Sequence, residues 1–495
     1  MSDLPEDLVD RLWQRDHTLW NPSPDEISNR LGWLTLPEEM VERVADLEAF
    51  AGKATDDGFK HAVLCGMGGS SLAPEVLRKT FGARAGAIDL HTCDSTHPGA
   101  IASLEASIDL DSTLFIIASK SGETIETLSH FRYFHSKVTD GTQFVAITDE
   151  GSMLERLARN EKFREVFLNP PDVGGRYSAL SLFGLVPFAL TGGNLEALLD
   201  GGRQMASSCR LESAVDNPGA NLGQTLADAA QQGRDKVTFV LPEEFAGFGD
   251  WMEQLIAEST GKLGKGIVPI VGENIGPPSV YGSDRLFIAY GESEALDALR
   301  ESGHQVVVLD YDGPAQLGGE FFRWEFAVAV AGHLMAINPF DQPDVASAKE
   351  ATKAILGQGE REKAAVDDLD PALSTIGPGD YVAIQAFLPT NAEVSDALQK
   401  ARMHIRDKYR VATTVGFGPP FLHSTGQLHK GGPNTGVMIQ VVEPERDFDI
   451  QIPGAPYTFG TLLDAQSLGD LQALRSKNRR VARITPEELK KALRD

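Results

Sequence analysis

Cysteine is scarce in this sequence of 495 residues, with Cys65, Cys93 and Cys209 as its three examples. An odd number of cysteines at wide intervals indicates neither a disulfide framework nor a metal-ligand spacing. We therefore expect a protein of a reducing compartment, the cytoplasm, and no bound metal ion.

Long apolar runs and positive charge are also lacking. No run reaches the ~18 residues that a membrane span needs, and the acidic start, Met1–Asp10, lacks the apolar core of a secretory signal. Lys and Arg number 45 against 71 Asp and Glu, so the net charge is −26. Such a surface repels nucleic acid and anionic membranes, and we expect neither as a partner. An anionic ligand would need a local pocket rich in cations or N–H groups.

Short apolar runs, by contrast, recur along the chain. A first group occupies residues 61–65, 113–118 and 144–148, a second 237–241, 286–290 and 305–309, and a third 381–385 and 436–442. Nearly continuous apolar runs separated by helical segments indicate buried parallel strands. The sequence therefore predicts an α/β fold with two tandem doubly wound parallel-sheet domains and an additional C-terminal α/β segment.

The gaps between these groups suggest the domain boundaries. The start of the chain is predicted to be helical and to pack through Trp13, Trp20, Leu31 and Trp33. The tail is predicted to close with helices around Leu468–Arg480 and Pro486–Leu493. The predicted parts are a helical segment at 1–50, a first sheet domain at 51–234, a second at 235–360 and a C-terminal α/β extension at 361–495.

A polar loop of six residues, 119–124, joins a predicted strand to a helical segment. Such a junction presents free backbone N–H groups at the positive end of a helix dipole. Ser119, Ser121 and Thr124 add hydroxyl groups, and Lys120 adds a charge. The loop is a candidate phosphate cradle, although the same residues could simply cap the helix.

A second turn, Gly-Met-Gly-Gly-Ser-Ser at residues 66–71, also follows a predicted strand. Glycines let the backbone approach a ligand closely, which makes Gly68, Gly69 and Ser70 candidate binding residues. The turn has neither the dinucleotide fingerprint spacing nor a Walker lysine. We therefore predict no NAD, no ATP and no other cofactor.

Together the two turns resemble the sugar isomerase (SIS) domain, and a tandem SIS pair is typical of the phosphoglucose isomerase family. Further stretches resemble motifs of that family and occur in its order. They are Asp-Val-Gly-Gly-Arg-Tyr-Ser at 172–178, Gln-Leu-Ile-Ala-Glu-Ser-Thr-Gly-Lys at 254–262, and Ile-Asn-Pro-Phe-Asp-Gln-Pro-Asp-Val at 337–345 followed by Lys349. The resemblance implies interconversion of glucose 6-phosphate and fructose 6-phosphate through an enediolate.

The resemblance also implies roles for several residues. Glu258 matches the position of the catalytic base, with Gln254 beside it, although a helix glutamate is otherwise usually a surface residue. Arg176 follows two glycines and its charge can stabilise the enediolate; the alternative is a structural salt bridge. Lys349 matches the lysine that assists ring opening, and Gln342 is expected to bind nearby.

The histidine of the family departs from its usual place. Bacterial members carry Leu-His-Ser-x-Gly-Gln shortly after the base, and its His opens the sugar ring. Here that string occurs only in the tail, at residues 422–427. We expect the tail to return to the site and supply His423, which can act as acid and base near neutral pH. His429 with Lys430, or His333, remain alternatives.

The whole chain is most similar to the isomerase half of bifunctional transaldolase/phosphoglucose isomerase proteins. No ~250-residue barrel fits before the first SIS turn, so transaldolase activity is not expected. The family implies a homodimer. A non-catalytic SIS-type module that only binds and senses sugar phosphate is the second hypothesis, since such a module needs the cradle but not Glu258, Arg176 and Lys349 together.

Overall fold

The computed structural model of the protein describes residues 4–138, 140–213, 215–357 and 365–492. Its strands form three sheets in which every strand pair is parallel. The strands are β1 (His61–Cys65), β2 (Asp89–Cys93), β3 (Thr113–Ala118), β4 (Phe144–Asp149), β5 (Glu165–Asn169), β6 (Lys236–Val240), β7 (Val268–Ile270), β8 (Arg285–Tyr290), β9 (Gln305–Leu309), β10 (Tyr381–Phe387), β11 (Ala412–Phe417), β12 (Gly436–Val442) and β13 (Arg480–Ile484).

The three sheets share one winding pattern. Their strand orders are β2-β1-β3-β4-β5, β7-β6-β8-β9 and β11-β10-β12-β13. In each sheet the second strand along the chain lies on one side of the first strand, and the third strand lies on the other side. A crevice therefore opens at the carboxyl ends of the first and third strands, where ligands of doubly wound folds bind.

The predicted α/β class and the predicted strands are confirmed. The strands that the sequence did not predict are β2, β5, β7, β11 and β13, and each of them lies at the edge of its sheet. An edge strand has a neighbour on one side only and tolerates polar residues, as in the Asp-Leu-His-Thr-Cys of β2. Strand β2 therefore lacks the continuous apolar run that identifies a buried parallel strand, and β7 has only three residues.

Helices connect and cover the sheets. They are α1 (Leu8–Trp13), α2 (Leu36–Glu39), α3 (Val44–Asp56), α4 (Leu72–Phe81), α5 (Pro98–Ala106), α6 (Ile125–Val138), α7 (Met153–Asn160), α8 (Leu182–Leu190), α9 (Leu195–Ser208), α10 (Pro218–Gln231), α11 (Phe248–Thr260), α12 (Glu294–Glu301), α13 (Leu317–Leu334), α14 (Ala346–Leu356), α15 (Asp370–Leu373), α16 (Ala392–Tyr409), α17 (Gly426–Gly431), α18 (Phe459–Ser476) and α19 (Pro486–Ala492). Within the described residues, no helix is long and apolar enough to cross a membrane.

The N-terminal segment packs on the long helix α13, as its tryptophans predicted. Trp13 stacks on Phe322 with ring centroids 5.9 Å apart, and the Trp20 indole donates a hydrogen bond to the Ala329 carbonyl. Trp33 is fully buried. The segment is less helical than predicted, because short 3₁₀ turns interrupt α1, α2 and α3.

The C-terminal sheet docks against the second sheet through apolar side chains. Tyr381 of β10 and Met438 of β12 share a buried cluster with Ala257 of α11 and Val268 of β7. One prediction for the tail was wrong: the helix expected at Leu468–Arg480 is α18, which ends at Ser476, and Arg480 begins strand β13. The domain boundaries stay a prediction, and the one at residue 360 lies outside the described residues.

Candidate active site

The carboxyl ends of β1 and β3 open into a cavity of about 550 Å³. Contributions also come from the Gly175–Tyr177 turn, from α11, from the loop before α14 and from the C-terminal part of the chain. Every residue that the sequence analysis proposed for the site lines this cavity: Gly68, Gly69, Ser70, Ser119, Lys120, Ser121, Thr124, Arg176, Gln254, Glu258, Gln342, Lys349 and His423. Their roles stay predictions, but the structure brings them together.

The glycines after β1 allow close backbone packing. Gly68 has φ +54°, and a Cβ atom there would lie 2.7 Å from the His423 carbonyl oxygen. A Cβ atom on Gly69 would lie 2.1 Å from the carbonyl oxygen of Gly175. Any side chain at Gly69 therefore collides with backbone, and the two glycines let three separate chain segments meet at the cavity wall.

In the loop after β3, side-chain hydroxyl groups accept hydrogen bonds from only some of the backbone amides. Ser119 Oγ accepts the Gly122 amide at 3.1 Å, and Ser121 Oγ accepts the Glu123 amide at 3.2 Å. Within the described part of the chain, the amides of Ser121 and Thr124 have no acceptor. The capping interpretation thus accounts for two amides, and the others remain available to an anion at the start of α6.

Lys120 pairs with a carboxylate of the protein, whereas its place in the loop suggested an anionic ligand. Its ammonium group lies 2.5 Å from Asp149 Oδ2 and donates to the Pro171 carbonyl oxygen at 2.8 Å. The lysine holds the β3 and β4 loops together at the cavity wall. Much of its charge is neutralised by Asp149, so we expect it to contribute less to anion binding than the backbone amides.

Glu258 is a buried carboxylate held from two sides. It is 8% exposed. Its Oε1 lies 3.3 Å from Arg176 Nη1, and its Oε2 accepts Gln254 Nε2 at 3.0 Å. Gln254 also donates to the His423 carbonyl oxygen at 2.8 Å. The interpretation as an ordinary surface glutamate is therefore wrong, and one amide side chain links Glu258 on α11 to the C-terminal part of the chain.

Arg176 is fixed by the loop between α13 and α14. Its Nη2 donates to the carbonyl oxygens of Pro339 at 2.6 Å and Asp341 at 3.0 Å, and its Nε donates to Ser259 Oγ at 2.7 Å. Only Nη1 is directed at Glu258. The guanidinium is thus both a structural tie and a preorganised positive charge beside the carboxylate.

Lys262 anchors the same loop and was not singled out for the site. Its ammonium donates to the carbonyl oxygens of Asn338 and Asp341 and to the Asp341 carboxylate. Burial, followed by the neighbouring charge of Arg176, lowers the pKa of Lys262 to about 8. The sequence did indicate this residue, since Lys262 is the last residue of the motif at 254–262 that contains Glu258.

Lys349 contributes a cation to the cavity. It lies on α14 and is exposed, and among the described residues nothing pairs with its ammonium group. Its neighbour in the cavity wall, Gln342, accepts Arg176 Nη1 at a long 3.4 Å. A second cavity of about 190 Å³ adjoins the first and shares Lys349 and His423 with it. Since Lys349 forms no ion pair within the described residues, its charge can attract an anionic ligand although the overall charge of the chain is −26.

His423 lies in the cavity although it follows Glu258 by more than a hundred residues. Its Nε2 lies 2.9 Å from Glu126 Oε1, and the same oxygen accepts Gln466 Nε2 at 2.6 Å. Burial acts to raise the pKa of Glu126, but His423, backbone hydrogen bonding and Lys349 outweigh it and lower that pKa. Sequence reasoning missed Glu126 and Gln466, because a helix glutamate and a helix glutamine carry no motif of their own.

The alternative histidines lie elsewhere. His429 is 3% exposed, its Nδ1 faces the Gln385 amide, and burial lowers its pKa to about 3. Lys430 pairs with the buried Asp470. His333 Nδ1 contacts the Leu19 carbonyl oxygen at 2.6 Å. None of the three lines the larger cavity.

Comparison with known proteins shows what the chain is similar to. The model of the family described as phosphoglucose isomerase matches residues 37–267. A glucose-6-phosphate isomerase of Prochlorococcus marinus is 28% identical over 426 residues, which cover 74% of this chain and 79% of the relative. A probable glucose-6-phosphate isomerase of Methanococcus maripaludis is 26% identical, over 67% of this chain and 85% of the relative.

Solved structures show the same fold. A hypothetical protein of Thermus thermophilus aligns with a TM-score of 0.62 and 26% identity, over 70% of this chain and 94% of its own. A glucose-6-phosphate isomerase of Chlamydia trachomatis aligns with a TM-score of 0.54 and 21% identity, over 70% of this chain and 77% of its own.

The parallel sheets and the cavity at their carboxyl ends define a doubly wound α/β protein. Over residues 37–267 the chain is similar to the phosphoglucose isomerase family, and the two relatives named as glucose-6-phosphate isomerases are similar to it over 74% and 67% of its length. The more specific resemblance to the isomerase half of bifunctional transaldolase proteins stays a prediction.

Proposed function

We propose that the protein interconverts glucose 6-phosphate and fructose 6-phosphate by moving a proton between C1 and C2 through an enediolate. One observation carries the proposal most directly. The buried carboxylate of Glu258 lies between Arg176 and Gln254, in the same cavity as the loop 119–124 and His423. A base, a fixed positive charge, an anion cradle and a histidine are the groups that this reaction needs.

We infer an order of events from the positions of these groups. The amides of the 119–124 loop hold the phosphate, and Lys349 adds a cation. His423, paired with Glu126, transfers a proton during ring opening. Glu258 then takes the proton from one carbon and returns it to the other. Arg176 Nη1, beside Glu258, stabilises the negative charge that develops on the enediolate oxygen.

The sensor hypothesis is less well supported. A module that only binds sugar phosphate has no use for a general base, whereas the Glu258 carboxylate lies inside the cavity beside Arg176. Curated relatives that cover most of this chain are named as isomerases. A coupled assay that follows conversion of fructose 6-phosphate to glucose 6-phosphate decides between the two, since a sensor gives no turnover.

Activity is expected to be independent of metal ions. Among the described residues, two groups of His, Cys and carboxylate side chains are close enough to share a cation, and neither includes a residue of the larger cavity. In the coupled assay, exhaustive chelation with EDTA should leave the rate unchanged. Loss of activity that Zn²⁺ or Mn²⁺ restores would contradict the proposed acid–base mechanism.

Removing a cradle hydroxyl is expected to weaken substrate binding. A hydrogen bond to a charged group is worth ~1.5–3 kcal/mol, so Ser121→Ala or Thr124→Ala should raise KM for fructose 6-phosphate about tenfold or more. Ser136→Ala, on the helix α6 that follows the cradle loop, is the matched control, because its hydroxyl bonds only the Tyr133 carbonyl oxygen. Unchanged KM in both cradle variants would place the phosphate elsewhere.

We further propose a cytoplasmic homodimer, by analogy with the family and from the free cysteines. The proposed catalytic groups all come from one chain, since His423 reaches Glu126 within the same molecule. Dilution below the dimer dissociation constant should therefore leave the specific activity intact, as sedimentation and initial rates at matched concentrations can check.

A further inference from the structure

A buried group of two cysteines and a histidine lies beside the first sheet, outside the cavity described above. Cys65 ends β1 and Cys93 ends β2, and the two are direct partners in the parallel register. His130 on α6 lies over them. One ligand atom of each residue lies within 4.8 Å of the others. The sequence did not predict this group, because 28 and 37 positions separate its members along the chain.

The imidazole of His130 is oriented for a ligand. Its Nε2 lies 2.9 Å from the Ser95 carbonyl oxygen, so Nε2 carries the proton and Nδ1 is left with a lone pair. That Nδ1 atom is buried and bonds no oxygen or nitrogen atom of the described residues, while the imidazole interacts with the Cys93 thiol. A histidine that donates one ring N–H to a backbone carbonyl and turns the other nitrogen towards a ligand site has the usual second-shell arrangement of a metal ligand.

The surroundings favour a cation that binds sulfur. Cys65, Cys93 and His130 are 0%, 4% and 0% exposed, and the two cysteines belong to an apolar cluster with Val63 and Phe134. A divalent ion with two thiolates and one neutral imidazole has no net charge, which suits an apolar interior.

The group is close to the size of a coordination shell. Zinc lies ~2.3 Å from sulfur and ~2.0–2.1 Å from nitrogen, so the ligands of one tetrahedral ion lie ~3.5–3.8 Å apart. Side-chain rotations that move the three ligand atoms by about an ångström bring a group of this size to that spacing. Cys93 also borders a separate cavity of about 450 Å³ whose wall includes Glu75 and Asp94. That cavity offers an entry path, an attractive field and room for a water molecule as fourth ligand.

We propose that Cys65, Cys93 and His130 bind one thiophilic d¹⁰ cation of the Zn²⁺ type. None of the three lines the larger cavity, so the ion is not part of the isomerisation chemistry. Its position is next to Gly66, the first residue of the turn at 66–71, and the bound ion would hold β1, β2 and α6 together.

Titration of the reduced, metal-free full-length protein with Co²⁺ tests the site. The wild type should bind one equivalent and develop thiolate-to-cobalt charge-transfer absorption. Cys93→Ser and His130→Gln should each weaken binding by more than about 100-fold, because loss of even an outer-shell partner costs about 10–100-fold. Cys209→Ser is the matched control: Cys209 is equally buried but is not part of the group. Equal binding by wild type and Cys93→Ser overturns the proposal.

A measurement on the wild type alone covers the case in which the variants fail to fold. X-ray absorption of the Zn²⁺-loaded protein should show two sulfur neighbours at ~2.3 Å and at least one nitrogen at ~2.0–2.1 Å. A shell of nitrogen and oxygen only would place the ion on the partly exposed group of His61, Asp89 and His91 and would refute the proposal. A Cys65–Cys93 disulfide that forms in air and is unaffected by prior Zn²⁺ addition would refute it too.

Discussion

Glu258→Gln is expected to lower kcat at least about 100-fold, since proton transfer by a placed base contributes ~10²–10⁴-fold. The amide keeps the size of the side chain, and its one oxygen can still accept from either Arg176 or Gln254, which contact different oxygens of the carboxylate. The fold and sugar-phosphate binding should therefore survive. Initial rates in the coupled assay, with KM determined alongside, check both parts of this expectation.

The matched control for this substitution is Glu253→Gln. Glu253 lies on the same helix but borders the other cavity, of about 450 Å³. Burial, with a smaller contribution from Asp250, raises the pKa of Glu253 to about 8, so the side chain is largely protonated at neutral pH and its replacement by an amide changes little charge. The control should keep near wild-type kcat. If Glu258→Gln retains more than about a tenth of kcat, Glu258 is not the base.

His423→Ala is expected to slow turnover of cyclic glucose 6-phosphate by about 10²-fold or more, the size of a lost acid–base catalyst. The proton transfer between C1 and C2 belongs to Glu258 and should be spared. Exchange of the C2 proton of an open-chain sugar phosphate, which needs no ring opening, should therefore continue at nearly the wild-type rate. Comparison of the two rates in one variant separates the steps.

The control for His423 is its neighbour in the same turn. Ser424 borders the separate cavity of about 450 Å³ and bonds the Phe421 carbonyl oxygen, so Ser424→Ala should turn over the cyclic sugar normally. Point variants are preferable to truncation, because removing the C-terminal sheet would expose Ala257 and Val268. Normal turnover of the cyclic sugar by His423→Ala would make the tail structural.

The positions of the inner strands were readable from the sequence for a physical reason. An inner parallel strand is covered on both faces and must be apolar at nearly every position, as in β3, where all six residues are buried. The turns that follow β1 and β3 could be predicted as well, because glycine and hydroxyl residues at a strand-to-helix junction are a local signature. The family motifs added Arg176, Glu258 and Lys349 residue by residue.

The assembly of the site could not be worked out in the same way. Glu126 and His423 are 297 positions apart, and no sequence pattern around either residue predicts its contact with the other. Their meeting depends on the C-terminal sheet, whose Tyr381 and Met438 dock against the second sheet through an apolar cluster. Apolar packing of that kind requires no fixed separation between the packed residues in the sequence, so it cannot be predicted from their spacing.

By itself, then, the sequence determined the α/β class, the inner strands and the resemblance to the family, since each depends on residues close together in the chain. Tertiary structure alone decided that Lys120 pairs with Asp149, that His423 rather than His429 or His333 enters the cavity, and that Cys65, Cys93 and His130 meet. These are contacts between side chains from different elements. They exist only once parallel strands have aligned in register and buried their apolar faces, which brings distant positions within a few ångströms of each other.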